Sequence, residues 1–374
     1  MTDAILDDRT LLHTVATAIA QLSRRRSPGD PVYEDGIQRA YNHLVLRCLL
    51  AGTEPPASVP DLVTLASRTP VGEWPGSSLE EEDDLLVDGT TRTPTQYCLE
   101  WALPVTDASA EVFENQVIGD ALAACRAASS PASYTAFRRL LITRPVLTAT
   151  ELAALAAEVD LMPVFEVIRR CYEPAPAAYM RDGQFQVCGR CGCLLVPLHD
   201  GGYRCELDRC RADGGTTRGP VLPAAALVLQ LSRPLRVFVT SPGLAETDLE
   251  KTLRRAGLVP EMWPLFDAYD LRVPFPNGTA WAVDVKDWAS PSLLGARTTE
   301  LRSSPPHDRA FIVVPAYRFQ VREDYARAFR HALAPGLRDR ITVCSDDSFA
   351  RQARRELSRT RRQATTDGGT PNAQ

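Results

Sequence analysis

The stretch from Tyr269 to Trp288, YDLRVPFPNGTAWAVDVKDW, limits what this chain can fold into more than any other. Residues 270–275 and 279–286 read as two extended runs. Pro276-Asn277-Gly278 between them is a turn signal at hairpin spacing. Side chains alternate along a strand, so Trp281, Val283 and Val285 share one face and Ala282, Asp284 and Lys286 the other. Asp270, at the start of the paired run, is expected beside Asp284 and Lys286. Two carboxylates and one ammonium then meet at one place on a sheet.

Two carboxylates suit a hard divalent cation such as Mg2+, which takes oxygen ligands and keeps several waters. Such an ion polarises a phosphoryl oxygen and makes hydroxide available near neutral pH. A neighbouring ammonium can orient or deprotonate the attacking water, or balance charge in the transition state. Composition sharpens the point. Of 42 Lys and Arg residues, only Lys251 and Lys286 are lysines. A chain that otherwise uses Arg for positive charge places at 286 a compact ammonium whose pKa can move, which a guanidinium cannot offer. A surface ion pair between Asp284 and Lys286 is the competing reading.

On these residues the stretch resembles the PD-(D/E)xK motif of restriction-endonuclease-like nucleases: Asp270, thirteen residues, then Asp284-Val285-Lys286. The resemblance implies that Asp270 and Asp284 hold a catalytic Mg2+ or Mn2+ and that Lys286 positions the nucleophile. Asp267 is the rival to Asp270, but it falls before the strand. Residues 246–256 read as a helix stopped by Gly257, and Glu250 on it is a candidate third carboxylate. A pair between Glu250 and Arg254, four residues on, competes with that role.

Five cysteines lie within residues 188–210. Cys188-x2-Cys191 and Cys205-x4-Cys210, separated by thirteen residues, have zinc-ribbon spacing. Four thiolates close the coordination sphere of Zn2+, so the site is structural. Cys193 is a fifth thiol able to replace Cys191, and His199 falls on the turn of the intervening hairpin, 194–198 with 203–205.

The remainder is read by periodicity. Helices are expected over residues 11–22, 33–50, 111–127, 134–142, 149–159 and 164–172, with Asp107 and Thr148 as N-caps. The aromatic fragment 94–101 is expected in the core. Arg24-Arg25-Arg26 reads as a helix C-terminus and Glu80–Asp84 as a solvated acidic loop. In the C-terminal part, strands are expected at 235–240, 310–315 and 341–344, and helices at 293–301, 325–334 and 349–362. Residues from 231 onward hold 22 basic and 17 acidic side chains, whereas residues 1–230 hold 20 and 30. A basic half suits a polyanion, and Arg297, Arg302, Arg351, Arg354 and Arg355 are candidate phosphate contacts. The longest apolar run, 221–231, is too short to span a bilayer, and the acidic N-terminus does not read as a leader. A cytoplasmic location is the expectation.

The expected fold class is multidomain, α with α/β. A helical domain at 1–178 precedes a four-cysteine zinc ribbon at 182–215. A restriction-endonuclease-like α/β domain with a central mixed sheet follows at 231–362, and then a disordered tail at 363–374. Taken whole, the chain resembles the endonuclease-related protein of bacterial pPIWI-RE islands. That resemblance implies a PIWI/Argonaute-like protein and a DinG-like helicase as partners, and a role against phage or plasmid DNA. The leading expectation is a metal-dependent DNA endonuclease. The alternative is a non-cleaving nucleic-acid-binding adaptor that docks partners through the ribbon and helices. One centre cuts one strand, so a duplex cut needs a homo-oligomer or two successive events.

Overall fold

The structure, a computed structural model, describes residues 7–23, 33–79, 84–102, 113–212 and 214–367. Arg24-Arg25-Arg26, most of the acidic run (80–83), Asp107 and residues 368–374 of the expected tail lie outside the described residues. The chain divides into two compact units: Met1–Val112 with Trp288–Leu293, and Phe113–Asp287 with Leu294–Gln374.

The first unit holds α1 (Asp8–Leu22), α2 (Asp35–Leu50), α3 (Val59–Arg68) and α4 (Gln96–Ala102). The Asp7 carboxylate accepts the N–H groups of Arg9 and Thr10 and so starts α1. Leu11, Leu12, Val15 and Ile19 recur at helical spacing and form one core with Ile37 and Leu44 of α2 and Tyr97 and Trp101 of α4. The fragment 94–101 is thus core, as its aromatics suggest. Glu100 of α4 is fully buried, and its carboxylate accepts the N–H groups of Ala289 and Ser290 at 2.7 and 2.9 Å. Those bonds fix Trp288–Leu293 within this unit.

The second unit begins with α5 (Phe113–Ala127), α6 (Pro131–Thr143), β1 (Val146–Thr148), α7 (Ala149–Ala154), α8 (Phe165–Cys171) and β2 (Tyr172–Pro174). Thr148 and Glu151 close a capping box at the start of α7. The ribbon region follows with β3 (Met180–Arg181), β4 (Gln184–Cys188), β5 (Val196–Pro197), β6 (Tyr203–Arg204), α9 (Asp208–Ala212), β7 (Arg218–Pro223) and β8 (Val228–Leu231). Strand β8 lies between β1 and β2, antiparallel to both. The short strands β1 and β2, inside the region read as an irregular helical domain, were missed because three-residue runs, one after Pro145 and one ending at Pro174, show no period.

Residues 235–240, LRVFVT, are helical and not the expected strand. They lie in a continuous run of α10 (Arg233–Leu235), a π-helical turn (Arg236–Thr240) and α11 (Ser241–Arg255). Leu235 and Val239 pack into the core of α5, α6 and α8, and the Thr240 hydroxyl donates to the Leu141 carbonyl. Burial on all sides outweighs the β-propensity of two valines. At Gly243 a Cβ would lie 2.3 Å from Ile142, so only glycine lets α11 approach α6 this closely. This packing explains why the helices from Phe113 onward group with the sheet and not with residues 1–112.

The sheet comprises β9 (Glu261–Met262), then, after the single turn α12 (Pro264–Asp267), β10 (Leu271–Pro274) and β11 (Ala280–Val285). It continues through α13 (Pro291–Arg297), β12 (Arg309–Val314), α14 (Ala316–Val321), α15 (Tyr325–Ala332), β13 (Ile341–Ser345) and α16 (Asp346–Asp367). Strand order is β13-β12-β11-β10-β9: the first three are parallel, and β9 and β10 add antiparallel. The sheet is mixed, as expected. Trp281, Val283 and Val285 face a core with Leu249 and Leu253 of α11 and Phe349 and Leu357 of α16. Helix α16 runs five residues beyond 362, where the sequence reading ends it.

Candidate active site and metal centre

The β10–β11 hairpin pairs Leu271 with Val283 and Pro274 with Ala280, which brings the residue before β10 level with the end of β11. Asp270 is buried there, and one of its oxygens accepts the Val285 N–H at 2.6 Å. The Lys286 Nζ lies 2.9 Å from Asp284 Oδ2 and 3.9 Å from Asp270 Oδ2. Asp270, Asp284 and Lys286 therefore come together. The Asp284 and Lys286 side chains keep 25% and 33% of their surface, so the group opens to solvent on that side.

Burial raises the Asp270 carboxyl well above the usual aspartate range, and Glu246 and Asp284 add to the rise. At Lys286, desolvation pulls downward, but Asp284 and Asp270 outweigh it and hold the ammonium above the ordinary lysine value. These surroundings keep a proton on Lys286 and resist a full charge on Asp270.

Glu250 is not the acid drawn in beside them. Its carboxylate is held by Arg139 of α6 at 3.1 Å and by Arg254 at 3.0 Å. Glu246, one turn earlier on α11, is the acid that Asp270 and Lys286 feel. It is buried, accepts the Trp263 Nε1–H at 2.6 Å, and is paired with Arg138 at 3.2 Å. Burial raises its carboxyl against the pull of Arg138. Asp267 accepts the Tyr134 hydroxyl at 2.7 Å and lies 3.9 Å from Arg138 Nε. Glu246 and Arg138 both escaped the sequence reading. Glu246 shares the helix face of Glu250, and that i, i+4 relation was the available signal.

Oxygen donors at Asp270 and Asp284 fit a hard cation that retains waters. Among the described residues, only the four thiols form a set of three or more potential ligands mutually within 4.8 Å. The acid site thus offers two carboxylates and not a three-carboxylate cage.

The thiol set is Cys188, Cys191, Cys205 and Cys210, all buried. Cys188 ends β4, Cys205 follows β6 and Cys210 lies on α9. Gly192, at φ +76°, makes the turn after Cys191. Cys191 Sγ and Cys205 Sγ are 3.6 Å apart. Tetrahedral coordination at a Zn–S length of about 2.3 Å calls for a spacing of about 3.8 Å. The cluster could bind zinc. Cys193 and His199 are outside the set; the Cys193 carbonyl accepts the Cys188 N–H instead.

Carboxylates beside these cysteines reach the sheet. Glu206 is buried against Arg236 and is 3.4 Å from Arg233, at the start of the α10–α11 run. Asp208 of α9 binds Arg318 at 2.9 Å, and Arg318 binds Asp287 at 2.8 Å. Asp287, directly after Lys286, is buried and also accepts the hydroxyls of Ser241 and Tyr317.

The candidate phosphate contacts divide. Arg351, Arg354 and Arg355 are exposed on α16, whose Ala353, Leu357 and Thr360 are buried. Arg302 is exposed and Arg297 half-buried. Among the described residues no helix is long and apolar enough to cross a membrane.

Residues 243–361 match the family model described as "REase associating with pPIWI_RE". Residues 11–148 match the one described as "pPIWI_RE three-gene island domain Y". No curated protein and no solved structure matches the chain.

Proposed function

Because the chain belongs to the pPIWI-RE island family and carries a REase-associated domain, we propose that it is a metal-dependent endonuclease that hydrolyses DNA phosphodiesters. The observation that carries this reading is the meeting of Asp270, Asp284 and Lys286 at the open end of β11. Asp270 and Asp284 would hold Mg2+ or Mn2+, which when bound neutralises phosphoryl charge and supplies an activated water. The Val285 N–H fixes Asp270, and the hairpin register fixes its distance from Asp284. Lys286, held protonated by two carboxylates, acts as an orienting donor and a countercharge to the phosphate and not as a base. The exposed Arg351, Arg354 and Arg355 of α16, with Arg302 and Arg297, would take the nucleic-acid backbone.

The four thiols would carry structural Zn2+. The family setting supports partner proteins, and a PIWI/Argonaute-like protein and a DinG-like helicase are the proposed ones. Defence against phage or plasmid DNA is the proposed role.

The test is cleavage of labelled duplex, single-stranded and R-loop DNA under Mg2+ or Mn2+, with and without the partners. D284N and K286M should each lower the rate by about 100-fold or more. Cutting at the wild-type rate by both variants removes the catalytic assignment. Saturable binding without scission under every condition favours the adaptor, a reading that the two-carboxylate limit of the acid site keeps in play.

A further inference from the structure

Arg138 lies on α6, within the part of the chain matched as island domain Y, yet its guanidinium ends among the acids before β10. It pairs with both oxygens of Glu246 at 3.2 and 3.3 Å. Its Nε is buried without a hydrogen bond and points toward Asp267, 3.9 Å away. Its guanidinium also rests 5.5 Å from the Trp263 ring centroid, and Trp263 donates to the same Glu246. Two cations each serve two acids here: Arg138 lies 3.2 Å from Glu246 and 3.9 Å from Asp267, and Lys286 lies 2.9 Å from Asp284 and 3.9 Å from Asp270. With all four acids ionised, as a bound cation would require, these six groups carry two unbalanced negative charges, the charge of one divalent ion. Two-metal nucleases need a second ion about 3.5–4 Å from the first, drawn by further carboxylates. Here the acid that could draw it is already held.

We infer that Arg138 stands as a permanent cation in place of a second metal ion, so that the centre takes one divalent ion, on Asp270 and Asp284. The inference rests on the nuclease reading of those two acids. Arg138 acts through Glu246 and is a positioning residue. Replacing the guanidinium by an apolar side chain frees Glu246 and Asp267 to bind a second ion beside the first.

The experiment is Mn2+ titration of the zinc-loaded full chain, followed by calorimetry and by electron paramagnetic resonance, which distinguishes an isolated ion from a coupled pair. The wild type should take one Mn2+ per chain with the spectrum of an isolated ion. R138M should take two with a coupled spectrum, R138K should return to one, and R138M/E246Q should also return to one. E246Q alone should bind its single ion within about threefold of the wild-type affinity, and this variant decides the matter if R138M does not fold. A coupled pair in the wild type overturns the inference. So does a folded R138M that still takes one ion, or loss of the ion in E246Q. A wild-type chain that takes no Mn2+ sinks the nuclease reading, and the inference with it.

Discussion

The thiol cluster could bind zinc and the acid centre is proposed to hold Mg2+ or Mn2+, but the two are built in opposite ways. The four cysteines come from 23 consecutive residues, and Gly192 makes the turn after Cys191. The acid centre gathers Arg138, Glu246, Asp267, Asp270, Asp284 and Lys286 from two helices, the turn before a strand, and a hairpin. All four thiols are buried, whereas Asp284 and Lys286 stay partly exposed. A closed local site can hold a fold, and an open one assembled from a distance can be tuned by whatever packs beside it. The two are nonetheless linked, since Glu206 and Asp208, lying between Cys205 and Cys210, tie to Arg236 and to Arg318–Asp287.

That link makes the largest prediction. If the cluster holds Zn2+, C205S should lose it, and with it the fixed position of Glu206 and Asp208. Structural zinc is worth about 10–16 kcal/mol in small domains, so the ribbon should open outright. Hydrogen exchange should then rise over α9 and also over the end of β11. Fast exchange confined to the ribbon would separate the two regions and break the comparison.

A smaller effect is expected at the link itself. Arg318 is nearly fully buried, and it holds Asp287 and Asp208. Burial would raise the Asp287 carboxyl, but Arg318 and the Tyr317 hydroxyl overcome this and hold it below the usual range. R318M removes the cation that Asp287 and Asp208 share and should cost about 3–5 kcal/mol, seen as a lower denaturation midpoint. Since Asp287's folded value is depressed, its contribution is present above the unfolded value and fades as pH falls. The R318M deficit should therefore shrink in acid. A deficit that stays constant down to low pH would mean that Arg318 contributes packing alone.

How much of this was legible follows the same division. The hairpin, the turn at Pro276-Asn277-Gly278 and the cysteine spacing are local patterns, and the structure has each of them where the residues put it. The third acid was not legible. Glu246 and Glu250 are one turn apart, and what separates them is that Arg138 takes one and Arg139 the other, 108 and 111 residues away. Residues 235–240 misled for a related reason: their valines suit a strand, but the burial that makes them helical comes from α6 and α8. The boundary at Phe113 was hidden too, because helical periodicity says nothing about which core a helix joins.

The smallest prediction runs against habit, since removing a charged site residue should stabilise the fold. Asp270 has its carboxyl raised by burial first, then by Glu246 and Asp284. A folded value above the unfolded one means that ionisation opposes folding. The penalty is absent below the unfolded value and grows as pH rises through the folded one. Each unit of such a rise is about 1.4 kcal/mol. D270N keeps an oxygen for the Val285 N–H and carries no charge, so at pH 7 without divalent ions it should melt about 2–4 °C above the wild type. The advantage should disappear near pH 4, where both proteins are neutral at 270. Adding Mn2+ should reverse the order, stabilising the wild type and leaving D270N unmoved. The thiol cluster predicts no such reversal, because four thiolates already fill the shell of the Zn2+ proposed for it. A D270N protein that melts below the wild type at pH 7 would mean that Lys286 needs Asp270's charge more than burial resists it. The acid centre would then be a structural ion pair like Arg318–Asp287 and not a seat for metal.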